Sequence, residues 1–289
     1  MIDAKTKLFG LLGNPLGHSL SPFMQNHYME ECGVNGVYLA FPVEAEELGN
    51  VIKGMHAMGV VGANVTIPYK EQVIPYLCGM SPAAKACGAV NTLIYTPEGY
   101  YGDNTDGAGL LAALEAKYGW NAEEERILLV GAGGAAKGVS VAMALKGAKK
   151  ICIVNRSPLK AKALAEQIAK LSQTETEAKP YEALEDPELY KEYTTVVNTT
   201  SLGMSPHVDE RIPVCMEALG ETHLVVDLVY NPFETKLLRE AAAQGAKTAS
   251  GLGMFLFQGI LAFEAWTGKR PKGEIMEKML IEELTEQRK

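Results

Sequence analysis

The sequence has no Cys-x-x-Cys pair. Its five cysteines, Cys32, Cys78, Cys87, Cys152 and Cys215, are scattered along 289 residues. That scatter argues against a zinc knuckle or a disulfide framework and fits a reducing cytoplasm. No set of His, Cys and carboxylate residues has metal-ligand spacing, so no metal site is expected. Long apolar runs are missing as well. The N-terminal stretch MIDAKTKLFGLLGNP lacks the extended apolar core of a secretory signal. The most apolar segment, MFLFQGILAFEAW (254–266), is interrupted by Gln258 and Glu264. It is too short for a bilayer and reads as a buried helix. Positive charge is in deficit, with a net charge of -8. That balance argues against nucleic acid or an anionic membrane as a partner. It leaves room for a small anionic ligand at a few placed cations and helix N-termini. Internal repeats and low-complexity tracts are also absent.

The composition that remains, 47% hydrophobic and 21% charged, is that of an ordinary globular protein. Its length suggests about two domains. Short β-branched or aliphatic runs alternate with helix-length segments. The strand candidates are residues 7–12, 37–41, 62–66, 91–95, 126–130, 151–154, 195–198, 224–228 and 247–250. Periodic segments at 44–58, 107–119, 134–147, 158–171 and 234–244 read as helices. This alternation predicts α/β architecture with parallel sheets and helices on their faces. A break falls at YYGDNTDGAG (100–109), and a second α/β set begins near Arg126. The acidic stretch 173–193 reads as a surface connection. The final helices carry an aromatic stripe of Phe255, Phe257, Phe263 and Trp266. By pattern alone they either cover the first domain or continue the second.

RILLVGAGGAAKG reads as strand, tight turn and helix. Gly131, Gly133 and Ala136 fit G-x-G-x-x-A, in which the first glycine turns the chain and the second admits a pyrophosphate. The small third residue lets helix pack on strand. Helix N-terminal amides then favour phosphate. The next strand, ICIV, ends in Asn155-Arg156-Ser157 rather than in a carboxylate. An acid there would repel a ribose 2′-phosphate. Arg156 can pair with it, Ser157 can donate to it, and Lys160 adds a second cation. Ser157-Pro158 also fits a helix N-cap with proline at the first helical position. With the glycine turn, this favours NADP over NAD.

The first half carries polar clusters that folding does not require. In GNPLGHSLSP (13–22), Ser21 with Pro22 fits a helix start, and Ser19 remains as a second hydroxyl beside it. Together they suit a carboxylate. Lys70 follows a proline in NVTIPYK, where a lysine is ordinarily a solvated cation. Asn91 in GAVNTL and Asp106 in GDNTDGAG sit where such residues commonly form turns or caps; Asp106 fits the N-cap of the 107–119 helix.

Taken together, GNPLGHSLSP, VTIPYK, GAVNT, GDNTDGAG, GAGGAAKG, NRS, NTTSLGM, VVDLVYNP and GLGMFLFQG resemble the shikimate dehydrogenases of the shikimate/quinate dehydrogenase group. They occur in family order along nearly the whole chain. The resemblance implies NADP-dependent interconversion of 3-dehydroshikimate and shikimate, in aromatic amino-acid precursor synthesis; the expected setting is the cytoplasm, as a monomer or homodimer. It implies an N-terminal α/β substrate domain with a mainly parallel sheet (1–106) and a Rossmann domain (107–250). The C-terminal helices (251–289) would return to the first domain. Carried over by position, Ser19 and Ser21 would hold the substrate carboxylate. Thr66, Lys70, Asn91, Asp106 and Gln258 would hold the ring hydroxyls or carbonyl, with Tyr230 at the substrate edge. Lys70 would move the proton, with Asp106 beside it. Gly131, Gly133, Gly134 and Ala135 would take the pyrophosphate. Asn155, Arg156, Ser157 and Lys160 would take the adenosine end, and Thr199, Leu228, Gly251 and Met254 would line the nicotinamide. The chain departs from the pattern at Gln25, where many members have His and some quinate/shikimate enzymes have Gln. Use of quinate, and of NAD, therefore stays open. Two other readings compete: a non-catalytic NADP-binding sensor, and a different two-domain NAD(P) enzyme acting on folates or amino acids. A sensor has no chemical need for a lysine–aspartate pair. Paired serines at a helix start suit a small carboxylate better than a large pterin.

Overall fold

Runs of Phe, Leu, Ile and Val that are apolar on consecutive residues can be buried only where both sheet faces are covered. Both halves of the chain meet that requirement. The computed structural model describes residues 2–17 and 19–286. His18 of the GNPLGHSLSP stretch and residues 287–289 of the expected C-terminal segment lie outside the described residues. The chain divides into two units: residues 1–106 with 256–280, and 107–255 with 281–289.

In the first unit the strands are β1 (Lys7–Gly13), β2 (Gly36–Pro42), β3 (Gly62–Val65), β4 (Gly79–Met80), β5 (Thr92–Thr96) and β6 (Gly99–Asp103). The helices are α1 (Ser21–Glu31), α2 (Leu48–Ala57) and α3 (Pro82–Cys87). The sheet order is β2-β1-β3-β5-β6-β4. β1 pairs in parallel with β2 and β3, and β4 with β6, whereas β5 runs antiparallel to both β3 and β6. The sheet is thus mixed, and the break expected at 100–109 begins as a strand. Residues Gly99–Asp103 alternate between half-buried and buried and close a hairpin on β5. Glycine and tyrosine dominate GYYGD, and the stretch lacks the aliphatic run that marks the other strands.

The second unit contains α4, which begins at the boundary (Asp106–Tyr118), then β7 (Arg126–Val130), α5 (Gly134–Leu145), β8 (Lys150–Val154), α6 (Pro158–Leu171) and β9 (Glu175–Lys179). After these come β10 (Thr195–Asn198), β11 (Leu224–Asp227), α7 (Lys236–Ala243) and β12 (Lys247–Ser250). All neighbouring strands are parallel, in the order β12-β11-β10-β7-β8-β9. Ile127–Val130 and Ile151–Val154 are completely inaccessible, as central doubly wound strands require. β9 corrects the reading of 173–193 as connection only. ETEAK has no aliphatic run because an edge strand need not bury both faces.

Two helices complete the chain, α8 (Leu252–Thr267) and α9 (Gly273–Glu286). The division between units falls inside α8, and Leu256–Leu280 group with the first unit. Trp266 anchors that grouping. Its ring packs 5.6 Å from Phe9 and 6.1 Å from Tyr38, and its indole N–H donates to the Leu93 carbonyl at 2.9 Å. A Cβ at Gly62 would lie 2.3 Å from that indole, so β3 needs glycine where the tryptophan crosses it. Phe263, against Tyr28, and Trp266 therefore cover the first unit, whereas Phe255 groups with the second. Among the described residues no helix is long and apolar enough to cross a membrane.

Candidate active site

In the first unit the loop after β3 is pinned by its backbone. Thr66 N–H donates to the Leu12 carbonyl and Tyr69 N–H to the Thr66 carbonyl, both at 2.8 Å. The Lys70 carbonyl accepts from Val90 N–H at 2.7 Å. A Cβ at Gly13 would come within 2.4 Å of the Thr66 methyl, so glycine lets β1 end against this loop. The pinned loop turns Lys70 inward, and its Nζ donates to Asp106 Oδ2 at 2.5 Å. Only 15% of the lysine side chain and 4% of the aspartate side chain are exposed. The solvated lysine that a sequence prior favours is therefore not what the fold builds.

Asp106 is the first residue of α4, where a negative charge is favoured by the helix dipole. It is not the N-cap anticipated for a 107–119 helix. Asn104 does the local fastening: its Oδ1 accepts from Asp106 N–H at 3.1 Å and its Nδ2 donates to the Ala89 carbonyl at 3.0 Å. The Asp106 carboxylate is left for Lys70 on one oxygen and Asn91 on the other. Asn91 Nδ2 donates to Asp106 Oδ1 at 2.7 Å. Asn91 Oδ1 accepts from Thr105 N–H and from the Thr92 hydroxyl, each at 2.9 Å. A backbone N–H can only donate, so it fixes which end of the Asn91 amide is oxygen and aims the NH₂ at Asp106.

Behind Asn91 lies Asn64, whose Nδ2 donates to the Asn91 carbonyl at 3.2 Å and whose Oδ1 accepts from the Tyr38 hydroxyl at 2.8 Å. Asn64, Thr92, Asn104 and Thr105 were not singled out from sequence. The available signal was an asparagine inside the strand GANV, where Asn is disfavoured without a partner. The Thr105 hydroxyl donates to the Gln258 carbonyl at 3.2 Å, which ties the loop before Asp106 to α8. Gln25, fully buried, donates from Nε2 to the Gly259 carbonyl at 3.0 Å.

At the start of α1, Ser21 is helical and buried, and the N-cap is Leu20, with no side-chain cap. The capping role anticipated for Ser21 is thus corrected. Ser19 Oγ instead accepts from Ser21 N–H at 3.3 Å. Among the described residues no hydrogen bond joins the side chains of Ser19, Ser21 or Thr66 to the Lys70–Asp106–Asn91 cluster.

In the second unit the glycine turn is built as a close approach. Gly131 has φ +121°, and a Cβ there would lie 2.1 Å from Thr199 Oγ1. Thr199 is held by donating from N and from Oγ1 to the Val130 carbonyl. Gly133 is the N-cap of α5, exposed, with nothing within 4 Å of where a Cβ would stand. Ala136 is fully buried. Gly134 and Ala135 begin the helix, which has neither a side-chain cap nor an acid in its first turn. A helix start with no side-chain cap and no acid fits a pyrophosphate.

At the end of β8, Asn155 Nδ2 donates to the Ser157 carbonyl at 3.2 Å. Arg156 and Lys160 are exposed. Ser157 occupies the N-cap of α6 with Pro158 after it, yet its hydroxyl makes no cap hydrogen bond. That side chain is left free of the helix it begins. Leu228 N–H donates to the Asn198 carbonyl at 2.9 Å, and a Cβ at Gly251 would lie 2.1 Å from the Leu228 carbonyl. Met254 is buried, and Tyr230 stacks on Phe255 at 4.6 Å.

A second polar node was invisible in sequence. Asp227, fully buried, accepts from Asn198 Nδ2 at 2.9 Å, Val229 N–H at 3.1 Å and the Thr235 hydroxyl at 2.7 Å. Burial pushes its carboxyl up to about 6, against the hydrogen bonds from Thr235, Val229 and Asn198. The folded state therefore holds this proton more tightly than the unfolded chain. The resulting stability is full below about pH 4 and is lost as pH rises through about 6. Asp227→Asn should flatten that slope, removing roughly 2–3 kcal/mol of change across the window, about two pKa units' worth. Urea unfolding at several pH values between about 4 and 7 reads this directly; an unchanged slope would mean that Asp227 does not titrate in that window.

An open parallel sheet with a glycine turn leading into an uncapped helix defines a dinucleotide-binding α/β protein, here accompanied by a buried amine–carboxylate pair in its other unit. Residues 11–93 match the shikimate dehydrogenase substrate binding domain, 112–230 the shikimate / quinate 5-dehydrogenase family and 251–281 the shikimate 5′-dehydrogenase C-terminal domain. A shikimate dehydrogenase (NADP(+)) of Geobacillus sp. (strain WCH70) is 43% identical over 278 residues, 96% of this chain and 99% of that protein. A crystal structure of a shikimate dehydrogenase in complex with NADP+ superimposes with a TM-score of 0.92 at 40% identity, covering 98% of each chain. Shikimate 5-dehydrogenase from Listeria monocytogenes, in complex with shikimate and NAD, gives 0.90 at 36% identity over 96% of this chain and 98% of that one. The chain belongs to the shikimate dehydrogenase family.

Proposed function

We propose that this chain reversibly reduces 3-dehydroshikimate to shikimate with NADPH, and that Lys70 is the proton donor and acceptor with Asp106 as its partner. The observation that carries the reading is the Lys70–Asp106 pair. It is withdrawn from solvent, bonded at 2.5 Å and aimed by an Asn91 amide whose orientation is fixed. A binder has no chemical need for such a pair. When bound, NADPH supplies the hydride. In the reductive direction the Lys70 ammonium stabilises the developing alkoxide and then gives it a proton; in the oxidative direction the neutral amine takes the hydroxyl proton. Asp106 holds the amine in place and has lone pairs left for a ring hydroxyl.

Ser19 and Ser21 would receive the substrate carboxylate, and Thr66, Asn91 and Gln258 would fix the ring oxygens, with Tyr230 at the substrate edge. Gly131, Gly133, Gly134 and Ala135 would take the pyrophosphate. Asn155, Arg156, Ser157 and Lys160 would take the adenosine end, and Thr199, Leu228, Gly251 and Met254 the nicotinamide. The domains serving these roles would be residues 1–106 for substrate and 107–250 for cofactor, with 251–289 completing the first. Five free cysteines support a working place in the reducing cytoplasm, as a monomer or homodimer.

Absorbance at the reduced-nicotinamide band should rise with shikimate and NADP, and more slowly or not at all with NAD or an unrelated hydroxy acid. Quinate is the informative extra substrate because Gln25 replaces the more usual histidine. No reduction of either cofactor by shikimate would refute the assignment.

A further inference from the structure

Parallel register brings two segments to the same edge of the second sheet. Val154, the last residue of β8, lies opposite Lys179, the last residue of β9. Two positions beyond them stand Arg156 and Tyr181. Tyr181 opens a short 3₁₀ turn, Tyr181–Glu185, that packs against β8. Its half-buried ring leans on the apolar cluster that includes Val154 and Leu184. The ring is therefore held, on the segment that register sets next to the one carrying Arg156. Burial raises the hydroxyl's pKa above its ordinary value, and the charge of Arg156 counters part of that rise.

What these groups lack is an acceptor. Among the described residues no hydrogen bond is made by the Tyr181 hydroxyl, and no carboxylate pairs with Arg156 or Lys160. The Ser157 hydroxyl leaves its own helix uncapped, and the first turn of α6 has no acid. Donors gathered at the carboxyl end of a parallel sheet without protein acceptors fit an anion with several oxygens. We propose that the Tyr181 hydroxyl donates a hydrogen bond to the ribose 2′-phosphate of NADP beside Arg156, and so helps select NADP over NAD. This rests on the NADP reading above. It adds a residue from β9's far side that neither the glycine turn nor the Asn155-Arg156-Ser157 stretch signals, since only strand pairing brings it there.

Tyr181→Phe fills the same space and removes a hydroxyl without a protein partner, so the fold should persist. Calorimetric titration with 2′,5′-ADP, 5′-AMP, NADP and NAD supplies the test. The expected result is about tenfold weaker binding of 2′,5′-ADP and NADP, the low end for a hydrogen bond to a charged group, with 5′-AMP and NAD unchanged. In the unaltered protein, 2′,5′-ADP but not 5′-AMP should shield Tyr181 from nitration by tetranitromethane, read by peptide mass. Unchanged affinity for 2′,5′-ADP, equal weakening of all four ligands, or no selective shielding would each overturn the assignment. If Arg156→Ala loses 2′,5′-ADP while Tyr181→Phe does not, this inference falls and the NADP reading stands. If the unaltered protein binds 2′,5′-ADP no better than 5′-AMP, the NADP reading itself falls.

Discussion

Lys70→Ala should lose roughly 10²–10⁴ in turnover, the usual range for removal of a general acid–base group, while remaining folded. The substitution removes the amine that the Asp106 carboxylate faces at 2.5 Å. Breaking a buried pair from one side costs about 3–5 kcal/mol when the remaining charge has no other contact. Here Asp106 would keep its bond from Asn91 Nδ2 and its place at a helix start. Part of that cost is thus avoided. Steady-state kinetics with shikimate, beside a thermal unfolding scan, separates the two effects. Near-normal turnover would remove Lys70 from the chemistry, whatever the stability.

Arg156→Ala should weaken NADPH by about 1–3 kcal/mol, the scale of a charge-assisted hydrogen bond, and leave NADH nearly unchanged. Arg156 is exposed and has no carboxylate partner among the described residues. Its removal therefore leaves no buried group unpaired, and the whole effect should fall on the ligand. Titration of both cofactors against the variant reads the difference. Equal weakening would show that Arg156 does not read the 2′-phosphate.

Much of this was legible in the residues. The aliphatic runs at 126–130 and 151–154 became strands because only a doubly covered sheet buries such runs. The glycine turn was readable because Gly131 and Gly133 answer local demands, a positive φ and an open helix start. Strands without aliphatic runs were not: GYYGD and ETEAK become β6 and β9 only because neighbours offer them hydrogen bonds.

Short polar side chains misled at two helix starts. Ser21 and Asp106 stand where local chemistry favours capping, yet neither is the N-cap; Ser157 does take the N-cap position before Pro158, without a side-chain cap hydrogen bond. Asp106 is spent on Lys70, thirty-six positions away in sequence. Likewise the Asn64–Asn91–Thr105 network and the Asp227 node depend on which strands lie side by side. A sequence lists the donors and acceptors; strand order decides which of them meet.

Hydride should leave the carbinol carbon of shikimate for NADP. Shikimate carrying deuterium at the carbon that becomes the ketone, incubated with this protein and NADP, tests it in one step. Mass analysis should find one deuterium in the reduced cofactor. Reduced cofactor without the label, or none formed, would contradict it.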